Sequence, residues 1–179
     1  MEEKNSVPLV GIVMGSDSDI PVMEAAFQTL DSFDVPYEAH ILSAHRSPDE
    51  TAAYARSAAE RGLKVLIAGA GWAAHLAGVL AAETILPVIG IPIDSSPLKG
   101  MDALLSTVQM PPGIPVAAMA IGKGGAQNAA LFAVQILALQ EPVLAGKMRT
   151  HKKNMAEGVT ARDRKLGEYL SGRKGRRQE

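Results

Sequence analysis

The sequence predicts a three-layer, doubly wound α/β fold, in which one parallel sheet of about five strands lies between helices and an extra helix follows at the C-terminus. Two observations support this fold class. Short apolar runs are each followed by a polar or glycine-containing turn and then by a helical pattern. This succession occurs five times at intervals of roughly thirty residues, which is the spacing that βαβ units require.

The predicted strands are nearly unbroken apolar runs. Runs of this kind are typical of strands that are buried on both faces of a parallel sheet. Pro87 lies near the start of the fourth run, where a missing N–H group is tolerated. The five predicted strands cover residues 8–14, 36–42, 64–68, 86–91 and 116–121.

The helices are predicted from apolar spacing and from their end signals. Met23, Ala26, Phe27 and Leu30 lie on one face of a first helix that ends at 31–32. Gly62 ends the second helix as a C-cap signal. This second helix covers residues 50–61. The later predicted helices cover a run of small residues through 82, residues 101–110, residues 126–139 and a more polar segment from 141 onward.

The charge distribution divides the chain. Residues 1–146 carry 7 Lys/Arg against 15 Asp/Glu, a net charge of −8, whereas residues 147–179 carry 11 against 4, a net charge of +7. We expect a single catalytic α/β domain over 1–140 and a C-terminal helix with a basic tail over 141–179. The basic segment fits either a solvated helix or packing on an acidic neighbouring subunit; nucleic-acid binding is disfavoured because no aromatic platform accompanies the charge.

Several function classes are disfavoured by composition. The chain has no cysteine, so disulfide and thiolate chemistry are not expected. Its four histidines lack the close spacing of metal ligands, so no metal site is predicted. The N-terminal residues do not resemble a signal peptide, and Gly, Pro or charge interrupts every apolar run before it could cross a bilayer. We therefore expect a soluble cytoplasmic protein.

Three polar turns are predicted to face one crevice. Crossovers between parallel strands are right-handed, so the carboxyl ends of all strands meet at one edge of the sheet. Ligands bind at that edge, near the point where the strand order reverses. The turns are residues 15–19, 43–46 and 69–75.

The second of these turns, Ser43-Ala44-His45-Arg46, carries the chemistry of the predicted reactive centre. Its serine can hydrogen-bond a ligand, its histidine can transfer protons near neutral pH, and its arginine can bind a phosphate or carboxylate. Residues 47–50 then supply an N-cap, a proline at the first helical position and two acids. A base beside an anion-binding side chain is the arrangement that general acid/base catalysis needs.

The other turns supply backbone groups and small side chains. In the first turn, Ser16 and Ser18 can hold a phosphate or hydroxyl, and the Asp19 carboxylate can accept hydrogen bonds from a ribose diol. Taken alone, this turn is also consistent with a plain strand-to-helix connection. In the third turn, Trp72 lines the pocket rim or packs on a neighbouring subunit, and His75 is either a site residue or a structural one. Residues 122–125 offer a further, weaker anion contact.

At these turns the sequence closely resembles the PurE family, the small phosphoribosylaminoimidazole carboxylase or mutase subunit of purine biosynthesis. The resemblance covers about residues 8–140. The matching motifs are Val13-Met14-Gly15-Ser16-Asp17-Ser18-Asp19, Ser43-Ala44-His45-Arg46, Ala68-Gly69-Ala70-Gly71, Ala73-Ala74-His75-Leu76, Val108-Gln109-Met110-Pro111 and Gly113-Ile114-Pro115-Val116 through Ala120-Ile121-Gly122.

The resemblance implies a flavodoxin-like enzyme that moves the carboxylate of N5-carboxyaminoimidazole ribonucleotide from the exocyclic nitrogen to ring carbon 4, without ATP, metal or organic cofactor. It implies that His45 transfers the proton and that the loop from Gly71 to Leu76 closes over the base. It also implies a homo-octamer whose C-terminal helix reaches a neighbour. The residues expected to contact the substrate are Ser16, Ser18, Asp19, Ser43, Arg46, Ala70, Gly71, Ala73, Ala74, His75 and Leu76.

Alternatives within and outside this family remain. Arg46, rather than lysine, resembles the mutase class rather than the animal-type class that adds CO2 directly to aminoimidazole ribonucleotide. A non-catalytic module that binds a flavin or nucleotide is disfavoured because only 4% of residues are aromatic. Two positions depart from the family pattern: Trp72 stands where the family usually has glycine, and Ala77 where it usually has proline.

Overall fold

The computed structural model describes residues 7–175, apart from the side chains of 172, 174 and 175. Five strands and six helices alternate along these residues, with a 3-10 turn at Asp17–Asp19. The strands are β1 (Val10–Met14), β2 (Tyr37–Ile41), β3 (Val65–Gly71), β4 (Val88–Ile93) and β5 (Ala117–Ala118). The helices are α1 (Ile20–Ser32), α2 (Pro48–Ala58), α3 (Leu76–Glu83), α4 (Met101–Val108), α5 (Lys123–Leu137) and α6 (Pro142–Gly175).

The sheet is entirely parallel, in the order β2-β1-β3-β4-β5. The chain moves outward from β1 to β2 and then crosses back to place β3 on the other side of β1. The strand order therefore reverses between β1 and β3, and a crevice opens there at the carboxyl ends of the strands. Met14, the last residue of β1, pairs with Ile41 on one side and Gly69 on the other. The doubly wound prediction is confirmed.

The core lies on both faces of the central strands. β1 and the first five residues of β3 are wholly buried, as their unbroken apolar runs predict. Ile12, Ile67 and Ile89 are fully buried at the centre of neighbouring strands. Helix α1 packs against α5, and α2 packs against α3. These helices exclude water from the sheet and fix the positions of the strand ends.

Strands β3 and β4 run farther than the sequence predicts. β3 continues to Gly71 instead of ending at 68, and β4 continues to Ile93 instead of 91, because Gly71 pairs with Ile93. The prediction that the turn starts at Gly69 is therefore wrong. A β-carbon at Gly69 would lie 2.4 Å from the sulfur of Met23, so this glycine admits α1 close to the sheet rather than making a turn. β5, in contrast, keeps only two of the six predicted residues.

A polar cluster joins α2 to the edge strand β2. The Tyr54 hydroxyl donates a hydrogen bond to Oε1 of Glu38 at 2.8 Å, and the Arg61 guanidinium donates to the same oxygen. That guanidinium also lies 4.6 Å from the centre of the Tyr54 ring. Burial, together with the neighbouring carboxylate, raises the pKa of the tyrosine well above its usual range. The cluster holds α2 against β2, and α2 begins directly after residues 43–47.

The chain divides into two compact units, one ending at Leu137 and the other beginning at Ala138. The second unit consists chiefly of α6, which is 34 residues long. Among the described residues, none of the helices combines the length and the apolar character needed to cross a membrane. The expectation that the C-terminal segment packs on a neighbouring subunit stays a prediction.

Candidate active site

A cavity of about 560 Å³ opens where β1, β2 and β3 end. All three polar turns line it, as the topology predicts. Every residue expected to contact a ligand lines this cavity except Ala74, which is buried at 2% exposure. The lining residues are Gly15, Ser16, Ser18, Asp19, Ser43, Ala44, His45, Arg46, Ala70, Gly71, Trp72, Ala73, His75, Leu76 and Ser95.

The turn after β1 is held by a capping box. The Ser16 N–H group donates to Oδ2 of Asp19 at 3.0 Å, and the Ser18 N–H group donates to the Ser16 hydroxyl at 3.3 Å. The Asp19 side chain is only 4% exposed, although it lines the cavity. Burial raises the pKa of its carboxyl above the ordinary value; hydrogen bonds from the Ser16 and Gly15 backbones and the charge of Arg46 oppose the rise.

Arg46 joins the turn after β2 to the turn after β1. Its Nη2 donates to the Gly15 carbonyl oxygen at 2.6 Å, and its Nε donates to the Ser43 hydroxyl at 3.3 Å. The Arg46 backbone N–H group also donates to that hydroxyl, at 3.2 Å. The guanidinium is therefore held in place by the protein, and its remaining N–H groups are free to bind an anion.

Ser47 lies at the N-cap position of α2, as predicted, but its hydroxyl does not cap the helix. It accepts a hydrogen bond from the Ser43 N–H group at 2.9 Å and donates to the Ser43 carbonyl oxygen at 3.3 Å. These two bonds close the short loop between β2 and α2. The loop positions His45 and Arg46 at its tip.

His45 and His75 form a hydrogen-bonded pair. Nε2 of His45 lies 2.8 Å from Nδ1 of His75, and the two rings meet edge to face with centroids 5.0 Å apart. One imidazole must donate and the other accept, so the bond couples the tautomer of each ring to that of the other. His75 lies at the N-cap of α3, whose first turn is directed at the cavity.

The connection from β3 to α3 is short and tightly held. The His75 N–H group donates to the Ala73 carbonyl oxygen at 2.8 Å, and the Val79 N–H group donates to the His75 carbonyl oxygen at 2.9 Å. Trp72 has a positive φ of 54°, and its side chain is 60% exposed. Leu76, in contrast, is 2% exposed and secures the start of the helix.

Ser95 lines the cavity and was missed by sequence reasoning. The fourth predicted strand ends at 91, whereas β4 extends to Ile93 and places Ser95 at the same edge of the sheet. The signal that could have found it is the polar run Asp94-Ser95-Ser96 directly after an apolar strand. Lys123, the weaker candidate, begins α5 and does not line the cavity.

The cavity lining combines two kinds of chemistry. Its hydroxyl groups, carboxylate and guanidinium suit a ribose and its phosphate. Its two imidazoles suit proton transfer. Within residues 7–175, no group of three or more His, Asp or Glu side chains could hold a metal ion.

Comparisons with known proteins identify relatives of this chain. The family model described as AIR carboxylase matches residues 9–158. The N5-carboxyaminoimidazole ribonucleotide mutase of Pyrococcus horikoshii is 53% identical, covering 94% of this chain and 97% of that protein. The enzyme of the same name from Bacillus subtilis is 55% identical over 85% of this chain and 94% of its own length.

A solved structure shows the same fold. The crystal structure of Treponema denticola PurE superposes with a TM-score of 0.79 and 29% sequence identity, covering 89% of this chain and 98% of that one. This likeness of fold and the match of the family model over most of the chain lead to one conclusion. The chain belongs to the AIR carboxylase, or PurE, family.

Proposed function

We propose that this protein is an N5-carboxyaminoimidazole ribonucleotide mutase of purine biosynthesis, which moves a carboxylate from the exocyclic nitrogen of the substrate to ring carbon 4. The observation that carries the proposal is that His45 and Arg46 line one cavity together with the hydroxyl groups and carboxylate of the first turn. Relatives that are more than half identical over most of the chain have this name.

The substrate would bind with its phosphate on the hydroxyl groups of Ser16 and Ser18 and on Arg46. These groups line the cavity, and the guanidinium is already oriented by Gly15 and Ser43. The ribose diol would donate to Asp19, whose Oδ1 has no role in the capping box. This placement directs the base toward the imidazole pair.

His45 would transfer the proton in both halves of the reaction. The N–C bond of the carbamate breaks, its electron pair returns to nitrogen, and a proton from His45 completes the amine while CO2 is released in the cavity. Carbon 4 then attacks CO2, forming the new C–C bond, and His45 removes the proton from that carbon. His45 thereby recovers the proton that it donated, and no external acid, base or oxidant is consumed.

The connection from Gly71 to Leu76 would keep CO2 near the base. Ala70 and Ala73 add little bulk to the cavity wall, and Ala74 is buried within the same connection. His75 would hold the His45 ring through the bond between their nitrogen atoms. A dry cavity matters because released CO2 would otherwise be lost to solvent.

The test is conversion of synthetic N5-carboxyaminoimidazole ribonucleotide to its 4-carboxy isomer by purified protein with no ATP added. The His45→Asn variant should lose turnover by roughly 100-fold or more, the range typical of a general acid/base, while its circular dichroism spectrum stays that of the wild type. Full activity in a folded His45→Asn variant would contradict the mechanism.

Direct carboxylation of aminoimidazole ribonucleotide by CO2 is the second candidate, because the matching family model is described as AIR carboxylase. Initial rates with each substrate at low bicarbonate separate the two reactions. A mutase remains fast with the N5-carboxylated substrate when bicarbonate is scarce, and a carboxylase does not act on it.

We further propose that the protein assembles as an octamer in the cytoplasm. Support for assembly comes from exposed apolar side chains along α6, which a helix exposed to water on all sides would not be expected to keep. These side chains are Met155, Val159, Leu166, Tyr169 and Leu170. The proposed substrate supports a cytoplasmic location, because a phosphorylated intermediate does not cross membranes unaided.

A further inference from the structure

Trp72 has a conformation that its side chain disfavours. Its φ of 54° lies in the left-handed region, where a bulky L-residue is strained and glycine is not. Only Asp34 and Lys99 share a positive φ among the non-glycine residues between 7 and 175. Strained backbone at a cavity is a reason to look for a function of the residue.

The indole is available to a ligand. Trp72 lines the cavity and is 60% exposed. None of the aromatic rings described between residues 7 and 175 stacks on its indole. It is also the single tryptophan of the chain. Apart from the two histidines, it is the only aromatic side chain in the cavity lining.

The backbone on both sides of Trp72 is fixed. Gly71 pairs with Ile93 in the sheet, and a β-carbon at Gly71 would fall 1.8 Å from the Ser95 hydroxyl oxygen. On the other side, Ala74 is buried and the His75 N–H group donates to the Ala73 carbonyl. The indole therefore projects from a rigid segment, and a side chain with two rotatable bonds loses little entropy on binding.

We propose that Trp72 is a specificity-determining residue whose indole covers the planar heterocycle of the bound ribonucleotide. Stacking suits a flat, electron-rich ring and adds contact area that the small neighbours Gly71 and Ala73 lack. The inference rests on the proposed function for the identity of the ligand. The inference goes beyond the proposed function because it assigns recognition of the base to a residue outside the phosphate-binding and proton-transfer groups.

The first test uses the fluorescence of the wild-type protein, which reports on Trp72 alone. Titration with 4-carboxyaminoimidazole ribonucleotide should change the emission intensity or wavelength, because a stacked ring replaces water on the indole face. Ribose 5-phosphate has the same phosphate and sugar but no base, so it should bind without that change. Equal responses to the two ligands, or none to either while calorimetry shows binding, would overturn the proposal.

The second test compares Trp72→Gly with Trp72→Phe. KM should rise roughly tenfold or more in the glycine variant and much less in the phenylalanine variant, since stacking on an aromatic ring contributes about that much to the binding of one base. Glycine adopts the required φ freely, so Tm should stay within about 4 °C of the wild type. An unchanged KM in the stable glycine variant would contradict the proposal.

The outcomes also separate this proposal from its alternatives. If the indole packs on a second copy of the chain, Trp72→Gly changes the native mass and leaves KM as it was, which overturns the proposal. If the wild type shows no isomerase turnover, the proposed function fails; the base-dependent fluorescence response then still decides whether Trp72 covers a heterocycle.

Discussion

Asp19 is the residue at which stability and function conflict most directly. Its carboxyl group is nearly inaccessible, yet it faces the cavity and accepts a hydrogen bond from the Ser16 backbone. Because burial raises its pKa, the ionised form is disfavoured in the folded chain relative to the unfolded one. The folded protein therefore loses stability at this residue when the pH rises through the raised pKa.

We expect Asp19→Asn to keep or increase the free energy of unfolding at pH 7. The asparagine oxygen can still accept from Ser16, and no charge has to be buried. Any gain in the free energy of unfolding over the wild type should become smaller as the pH falls from the raised pKa toward the ordinary value of 3.8. Over that range Asp19 of the wild type becomes protonated and, like the asparagine, uncharged. KM should nevertheless rise more than tenfold, since a charged acceptor is lost.

Urea denaturation at pH 7 and near pH 4, with steady-state kinetics at pH 7, measures both effects. A variant that is markedly less stable at pH 7 would contradict the predicted cost of burying the charge, and an unchanged KM would contradict the proposed ribose-binding role of Asp19.

At the level of elements, the first turn of α5 contains two neighbouring glycines with different surroundings. A β-carbon on Gly125 would lie 1.7 Å from the Ala120 carbonyl oxygen, whereas one on Gly124 would meet nothing within 4 Å. We expect Gly125→Ala to cost about 3 kcal/mol or more, because backbone atoms cannot move aside. Gly124→Ala should be neutral or stabilising by up to roughly 1 kcal/mol, through helix propensity.

Urea unfolding of the two variants provides the comparison, and each serves as the control for the other. Equal stabilities would show that the start of α5 can shift away from the sheet.

The alternation of strands and helices and the sheet class are predicted by periodicity, and right-handed crossovers predict that the three polar turns share one edge. The individual contact residues are implied by the resemblance to the PurE family, and eleven of them are among the fifteen residues that line the cavity. The sequence-based prediction was wrong where glycine, which is common in turns, lies within a strand instead. Gly69 and Gly71 suggested a turn, but both admit close neighbours within a strand. The contact between Arg46 and the Gly15 carbonyl also joins positions distant in sequence, so no local pattern could show it.

For the whole molecule, the predictions concern α6. The apolar side chains of Val159 and Leu166 are 58% and 53% exposed, and residues 147–179 have a net charge of +7 against −8 for the rest of the chain. We expect the double variant Val159→Asp/Leu166→Asp to have a smaller native mass than the wild type, because carboxylates would have to be buried in the proposed interface.

Light scattering after size-exclusion chromatography measures that mass. The control Asn154→Asp/Thr160→Asp adds the same charge at exposed polar positions of the same helix and should assemble normally. A monomeric wild type, or a double variant of unchanged mass, would contradict the proposed assembly.

The fixed guanidinium of Arg46 has a consequence for the chemical equilibrium. The two ribonucleotides of the proposed reaction are isomers that differ only in where one carboxylate is attached. A phosphate-binding group that the protein has oriented in advance interacts with both isomers equally, so it contributes nothing to the free-energy difference between them. In the proposed reaction, the ratio of the two bound isomers would therefore be determined by the residues around the base, which are His45, His75 and Trp72. The proposed phosphate contacts would stabilise both isomers to the same extent.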